Sequence, residues 1–312
     1  MLDPDAQRVL EMNREAGRPP IHTLTPAEAR QGMRQSRTRL SPDPPDVAEC
    51  RDLTCPGPGG PIPLRLYRGA GLDPATAAPA LLYFHGGGWV MGDLDTHDVT
   101  CRLLANAAGC VVVAVDYRLA PEHPFPAAAD DAYAAVTWVA EHASELAIDA
   151  RRIAVCGDSA GGNLAAVVAL MARERRGPEL RCQVLVYPVV DLSLSQESFT
   201  TRAEGYTLTR DAMSWFREVY TPDERHWSDW RAAPLRAPHL RDLPPAHIVT
   251  AGYDPLCDEG AQYAERLRAD GVAVDHKHYA GQMHGFLGAG KVVQAADRAI
   301  AEIADGLRRA FG

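Results

Sequence analysis

The segment that most restricts the fold of this chain is CVVVAV, Cys110–Val115. An apolar run with no polar interruption does not suit a strand with one wet face. It reads as a strand covered on both sides, and the pattern extends to Asp116. Comparable strand patterns occur at Ile62–Tyr67, Ala80–Phe84, Arg152–Cys156, Gln183–Tyr187, His247–Ala251 and Val274–Tyr279. Helical patterns lie between them, at Thr96–Ala108, Ala127–Leu146, Asn163–Arg175, Asp258–Ala269 and Val292–Ala310. Strands alternating with helices predict an α/β fold around a mostly parallel, doubly wound sheet.

Two regions interrupt the alternation. Residues 1–45 read as one or two amphipathic helices followed by a proline-rich linker, RLSPDPPD. Residues 191–245 separate two strands and contain a further helix, Thr209–Tyr220. Inserts of that length serve as lids or binding loops. They leave residues 46–190 and 246–312 as the two parts of the core.

Composition excludes several classes of function. A formal net charge of -9 with no offsetting basic stripe argues against a nucleic-acid partner. The N-terminal stretch MLDPDAQRVLEMNREAG has no apolar signal core. The longest small-apolar run, Asn163–Ala172, is too short to span a bilayer. Seven cysteines at irregular spacing suit a reducing compartment better than a disulfide framework. Cys50 and Cys55 lack a second pair at zinc-site spacing. The expectation is a cytoplasmic chain without stable membrane association, metal or cofactor.

Chemistry first shows itself at RRIAVCGDSAGGNLAAVVALMA. The strand Ile153–Cys156 meets Gly157-Asp158-Ser159-Ala160-Gly161, and a helical pattern begins at once. This is G-x-S-x-G in a strand–turn–helix setting. Glycines there relieve the collisions that Cβ atoms would cause in so sharp a turn. Ser159 is therefore the candidate nucleophile, although a serine N-cap would give a similar string. Its hydroxyl needs a base, and the base needs an orienting carboxylate. Both should lie downstream, acid first. Asp254 follows the strand HIVTAG, where open α/β sheets place their sites. His284 sits in the glycine-flanked loop AGQMHGF after the last strand. Asp258 and Glu259 compete for the acid role but read as first-turn helix residues. His276 and His278 lie within a strand.

The glycines of LLYFHGGGWVMGD then acquire a purpose. An acyl intermediate carries a negative oxygen that must meet fixed donors. The N–H of Ala160 supplies one, and a glycine loop supplies others because bare backbone can approach the substrate. Gly87 and Gly88 are assigned as those donors, with His85 and Gly86 shaping the loop. The phosphate-binding patterns G-x-x-x-x-G-K-[ST] and G-x-G-x-x-G are both missing.

Together HGGGW (His85–Trp89), DYRLAPEHPFP (Asp116–Pro126), GDSAGG (Gly157–Gly162), DPL (Asp254–Leu256) and HGF (His284–Phe286) resemble the bacterial hormone-sensitive lipase family of esterases, in the GDSAGG subgroup. The resemblance spans essentially the whole chain. It implies an α/β-hydrolase fold with a helical cap built from the N-terminus and the mid-chain insert. It implies a carboxylesterase for short- to medium-chain acyl esters that uses no cofactor or metal. Ser159, Asp254 and His284 become the triad, and Gly87, Gly88 and Ala160 the oxyanion hole. A homodimer through edge strands is compatible with it. An amidase, deacetylase or lactonase would use the same triad, and a non-catalytic ligand-binding member is the alternative from another class. In DYRLAPEHPFP, Asp116 and Arg118 are expected to hold neighbouring segments by charge-assisted hydrogen bonds. Met213, Phe216, Arg217 and Tyr220 recur at helical spacing, so that face and Trp89 are candidate walls of the acyl pocket.

Overall fold

The computed structural model describes all 312 residues. Eight strands form one sheet: β1 (Glu49–Gly57), β2 (Gly60–Arg68), β3 (Ala78–Phe84), β4 (Val111–Val115), β5 (Ile148–Asp158), β6 (Gln183–Val186), β7 (Ala246–Tyr253) and β8 (Val274–Met283). Their spatial order is β1-β2-β4-β3-β5-β6-β7-β8. β1 and β2 form an antiparallel hairpin and β2 runs antiparallel to β4. Every other neighbouring pair is parallel.

All of β4 is buried, as its uninterrupted apolar sequence requires. Alternate residues feed two separate cores. Leu82, Phe84, Val113 and Val115 face one side of the sheet, and Leu81, Tyr83, Val112 and Ala114 the other. The first side is covered by α4 (Ala127–Glu141), α5 (Ala160–Arg175) and α8 (Cys257–Ala269). The second is covered by α3 (Asp98–Ala108) and α9 (Gln294–Phe311).

Strand β1 went unread in the sequence. Of its residues only Cys55 is buried, so it lacks the apolar signature of the interior strands. The hairpin turn Gly57–Gly60 was its one visible mark.

The regions outside the alternation are helical. α1 (Pro4–Glu15) and α2 (Pro26–Leu40) precede the sheet. Thr25 and Glu28 form a reciprocal capping box at the start of α2. Arg30 of α2 donates to the Val90 and Ala120 carbonyls and pairs with Glu122, which anchors the helix beside HGGGW and DYRLAPEHPFP. Between β6 and β7 lie α6 (Ser198–Thr201) and α7 (Arg210–Tyr220). No helix is long and apolar enough to cross a membrane. All seven cysteines are free.

The expectation for the DYRLAPEHPFP loop holds for Arg118 and fails for Asp116. Arg118 makes a charge-assisted pair with Asp131 of α4, through Nε at 2.8 Å and Nη2 at 2.7 Å. Asp116 takes no part in it. Its carboxyl is pushed up to about 6, first by burial and then by the nearby charges of Asp93 and Asp95. The α4 carboxylate lies within reach of the guanidinium fork and supplies the bidentate partner that a loop neighbour does not.

Candidate active site

The site is assembled at the C-terminal ends of β3, β5, β7 and β8. Ser159 occupies the junction of β5 and α5 with φ 57° and ψ -118°, a backbone state that costs energy in any L-residue. The flanking glycines are required by contact. A Cβ at Gly157 would collide with the Gly161 main chain, and one at Gly161 with the Phe84 carbonyl oxygen. Strand, turn and helix can approach this closely only because those positions carry no side chain.

β7 ends at Tyr253 and β8 at Met283, a paired position, so the residues that follow emerge side by side. Asp254 is fully buried and its Oδ1 accepts from the Leu256 N–H at 2.9 Å. Asp254 Oδ2 lies 2.7 Å from His284 Nδ1, and His284 Nε2 lies 2.9 Å from Ser159 Oγ. The structure therefore brings the three sequence-assigned residues into one hydrogen-bonded chain. With Nδ1–H donating to the carboxylate, Nε2 is left as the acceptor facing the hydroxyl. Of the competing acids, Asp258 accepts the Ser198 N–H and Glu259 the N–H groups of Val190 and Asp191. Neither is bonded to His284. His276 and His278 both bond to Thr250 instead.

The HGGGW loop follows β3 directly. Gly87 and Gly88 have φ of 124° and 61°, the region where glycine is at ease. The main-chain N–H groups of Gly87, Gly88 and Ala160 donate to no protein acceptor, and Ala160 is the first residue of α5. The Ala160 N–H is an orphan donor of the kind that gathers anionic charge at a helix start, while those of Gly87 and Gly88 are unpaired amides of a turn. Phe216 of α7 packs on Gly88 so closely that a Cβ there would collide with the ring.

Asp158 binds the loop to the nucleophile turn. Its Oδ1 accepts from the Gly86 N–H at 3.0 Å and from the Tyr83 hydroxyl at 2.7 Å. Burial opposes its ionisation, yet His97, Arg37 and the Tyr83 hydroxyl hold the carboxyl well below its ordinary range. His97 Nε2 lies 3.4 Å from Asp158 and 3.3 Å from Arg37 Nη2. His85 stacks on Tyr117 and on His97. Burial, reinforced by His97, lowers its pKa to about 4, which leaves it a neutral structural ring at neutral pH.

The proposed pocket walls have distinct environments. Met213, Phe216 and Tyr220 are buried. Arg217 donates to the Leu192 carbonyl and lies 3.6 Å over the Trp227 ring. Trp89 is fully buried, stacked on Tyr220 at 4.2 Å.

Tyr187, whose ring centroid lies 4.6 Å from that of His284, went unnoticed in the sequence, as did Tyr83, His97 and Arg37. Their partners lie far away along the chain, so no local spacing announces them. No group of three or more His, Cys, Asp or Glu side chains is placed to hold a metal.

Sheet order and the serine–histidine–aspartate arrangement define the α/β-hydrolase class. Comparison with known proteins gives the same class and narrows it. The Abhydrolase_3 family model, described as an alpha/beta hydrolase fold, matches residues 81–288. The chain is 47% identical over 268 residues to the esterase LipI of Mycobacterium tuberculosis, covering 85% of this chain and 84% of that protein. It is 39% identical to the ethyl acetate hydrolase of Pseudomonas putida over 315 residues, covering 99% of each. Among solved structures, an ester hydrolase from the metagenome of Lake Arreo, in complex with a bipyridine phosphonate derivative, has a TM-score of 0.96 at 42% identity and 100% coverage of both chains. A thermostable esterase from Pseudomonas putida ECU1011 has a TM-score of 0.95 at 38% identity, covering 100% of this chain and 98% of that one. The chain belongs to this α/β-hydrolase family.

Proposed function

We propose that this carboxylic ester hydrolase works by two-step acyl transfer, with Ser159 as nucleophile, His284 as general base and acid, and Asp254 as the orienting carboxylate. The observation that carries the reading is the unbroken chain Asp254–His284–Ser159 at 2.7 and 2.9 Å. His284 Nε2 takes the hydroxyl proton as Oγ attacks the ester carbonyl. Asp254 holds the imidazole and stabilises its charged form. The N–H groups of Gly87, Gly88 and Ala160 receive the developing oxyanion. His284 then protonates the leaving alcohol, and water activated by the same ring hydrolyses the acyl-serine.

Residues 1–45 and 191–245 together form the cap over this cleft, with residues 46–190 and 246–312 as the core. Met213, Phe216, Arg217 and Trp89 bound the acyl side. The substrates are small esters of short to medium acyl length, a reading supported by the ethyl acetate hydrolase among the relatives. A homodimer would pair edge strands, and β1 and β8 are the two edges of the sheet. The proposed compartment is the cytoplasm, which suits a chain whose cysteines are all free.

Rates on p-nitrophenyl esters of increasing acyl length, set beside a matched amide, test the substrate class. The highest kcat/KM should fall on a short or medium ester. Faster turnover of the amide, or a maximum at long insoluble chains, would overturn it.

A further inference from the structure

One strip of the insert, Ser198 to Thr207, touches both loops that carry the histidine and its carboxylate. The Ser198 N–H donates to Asp258 Oδ2 at 2.8 Å, and its hydroxyl to the Pro255 carbonyl at 2.6 Å. Arg202 Nε donates to the Gly252 carbonyl at 3.0 Å, with its guanidinium 5.1 Å over the Tyr253 ring. The Thr207 hydroxyl donates to the main-chain carbonyl of His284 at 2.6 Å. The turn around Asp254 is thus held on both sides, and His284 is held by its own backbone.

The last of these contacts bears most directly on the histidine. Strand pairing between β7 and β8 ends at Tyr253 and Met283, one residue before each partner. The peptide plane after His284 is followed by Gly285 at φ 80°. Glycine imposes little steric restraint on that plane, so something else must fix it. Thr207 is the side chain that bonds to the carbonyl of that plane.

We propose that Thr207 is a positioning residue for His284, and that through it the cap insert sets the distances of the imidazole to Ser159 Oγ and Asp254 Oδ2. The proposal rests on the triad reading given above. A movement of the insert would then loosen the proton path as well as uncover the cleft. Mere docking of the insert would give a different outcome, since losing a surface contact changes stability but not the chemical step.

Thr207→Val removes the donor at nearly constant shape, and Thr207→Ser restores it. Loss of one such hydrogen bond should lower kcat on p-nitrophenyl butyrate about 3- to 10-fold, with KM within about twofold. The acidic limb of the kcat/KM pH profile should move in Thr207→Val, and Thr207→Ser should return both readouts to the wild-type values. Thr207 is exposed, so the variants should fold; Thr207→Ala serves if the valine variant does not. Wild-type kcat and pH profile in Thr207→Val, or equal impairment of the valine and serine variants, would overturn the proposal. Ser159→Ala run beside them separates the two readings: a dead alanine variant with an unaffected Thr207→Val removes only the role of Thr207.

Discussion

The nucleophile turn and the insert between β6 and β7 border the same cleft but are held in different ways. At the turn, Gly157, Gly161 and Gly86 face main-chain or carboxylate atoms so closely that none could carry a Cβ without a shift. The insert is fastened at its rims by side chains. Asn163 donates to the carbonyls of Val189 and Ala232, Arg236 grips Asp191 with two bonds, and Arg217 reaches the Leu192 carbonyl. Stabilising a developing oxyanion demands donors fixed in advance, and close-packed backbone provides that rigidity. Under the proposed function, choosing among acyl chains demands only a wall of suitable shape, which exchangeable side chains would provide. The first region should therefore respond to mutation with loss of rate, and the second, apart from the Thr207 contact with His284, with changed preference.

The largest effect should come from Ser159→Ala, with kcat on an activated short-chain ester falling roughly ten-thousandfold or more while the fold survives. Full residual turnover would remove the serine from the mechanism. Next is Gly88→Ala. Its φ of 61° and the contact with Phe216 leave no room for a methyl group. The loop must move, and kcat should drop about 100-fold, the scale of losing one oxyanion donor. A drop confined to KM would mean that the loop shapes binding only.

Asp116→Asn probes, through stability, a half-buried loop outside both regions. The folded carboxyl is raised to about 6, mainly by burial, against about 3.9 in an unfolded chain. Between those values the folded state keeps a proton that the unfolded state has released. Stability therefore falls as the pH climbs through this window and stays at the lower level at neutral pH. The asparagine variant should be about 1–2 kcal/mol more stable than wild type at pH 7, and this gain should vanish below about pH 4. Urea unfolding at both pH values decides it; an equal gain at both would point to packing instead. The smallest effect belongs to the insert. Met213→Leu conserves volume and should cost under about 1.5 kcal/mol. The stiffer branched side chain should narrow the acyl range, changing the ratio of long- to short-chain kcat/KM by about threefold. A tenfold loss on every ester from Met213→Leu would show that this face of the insert is as rigidly coupled as the nucleophile turn.

Much of this was legible because close packing leaves a local mark. CVVVAV announces a strand covered on both faces, and GDSAGG and HGGG announce turns in which backbone meets backbone. The order Ser159, Asp254, His284 followed from the need for a base and its carboxylate beyond successive strands. What stayed hidden was solvent-facing or assembled at a distance. β1 exposes most of its length and carries no apolar run. Asp131, the partner of Arg118, sits in an alanine-rich helix with no sign of its pairing. Tyr187 reaches His284 across nearly a third of the chain, and only the sheet order places it there.

A phosphonate ester that mimics the acyl transition state, reacted in slight excess and located by peptide mass spectrometry, measures the reactivity of the serine itself. One adduct per chain on the peptide bearing Ser159 is predicted, abolished by Ser159→Ala and slowed at least tenfold by His284→Ala, since the hydroxyl gains its nucleophilicity from its base. Adduct formation on another residue, or unchanged labelling without the imidazole, would contradict the hydrogen-bonded chain on which the mechanism depends.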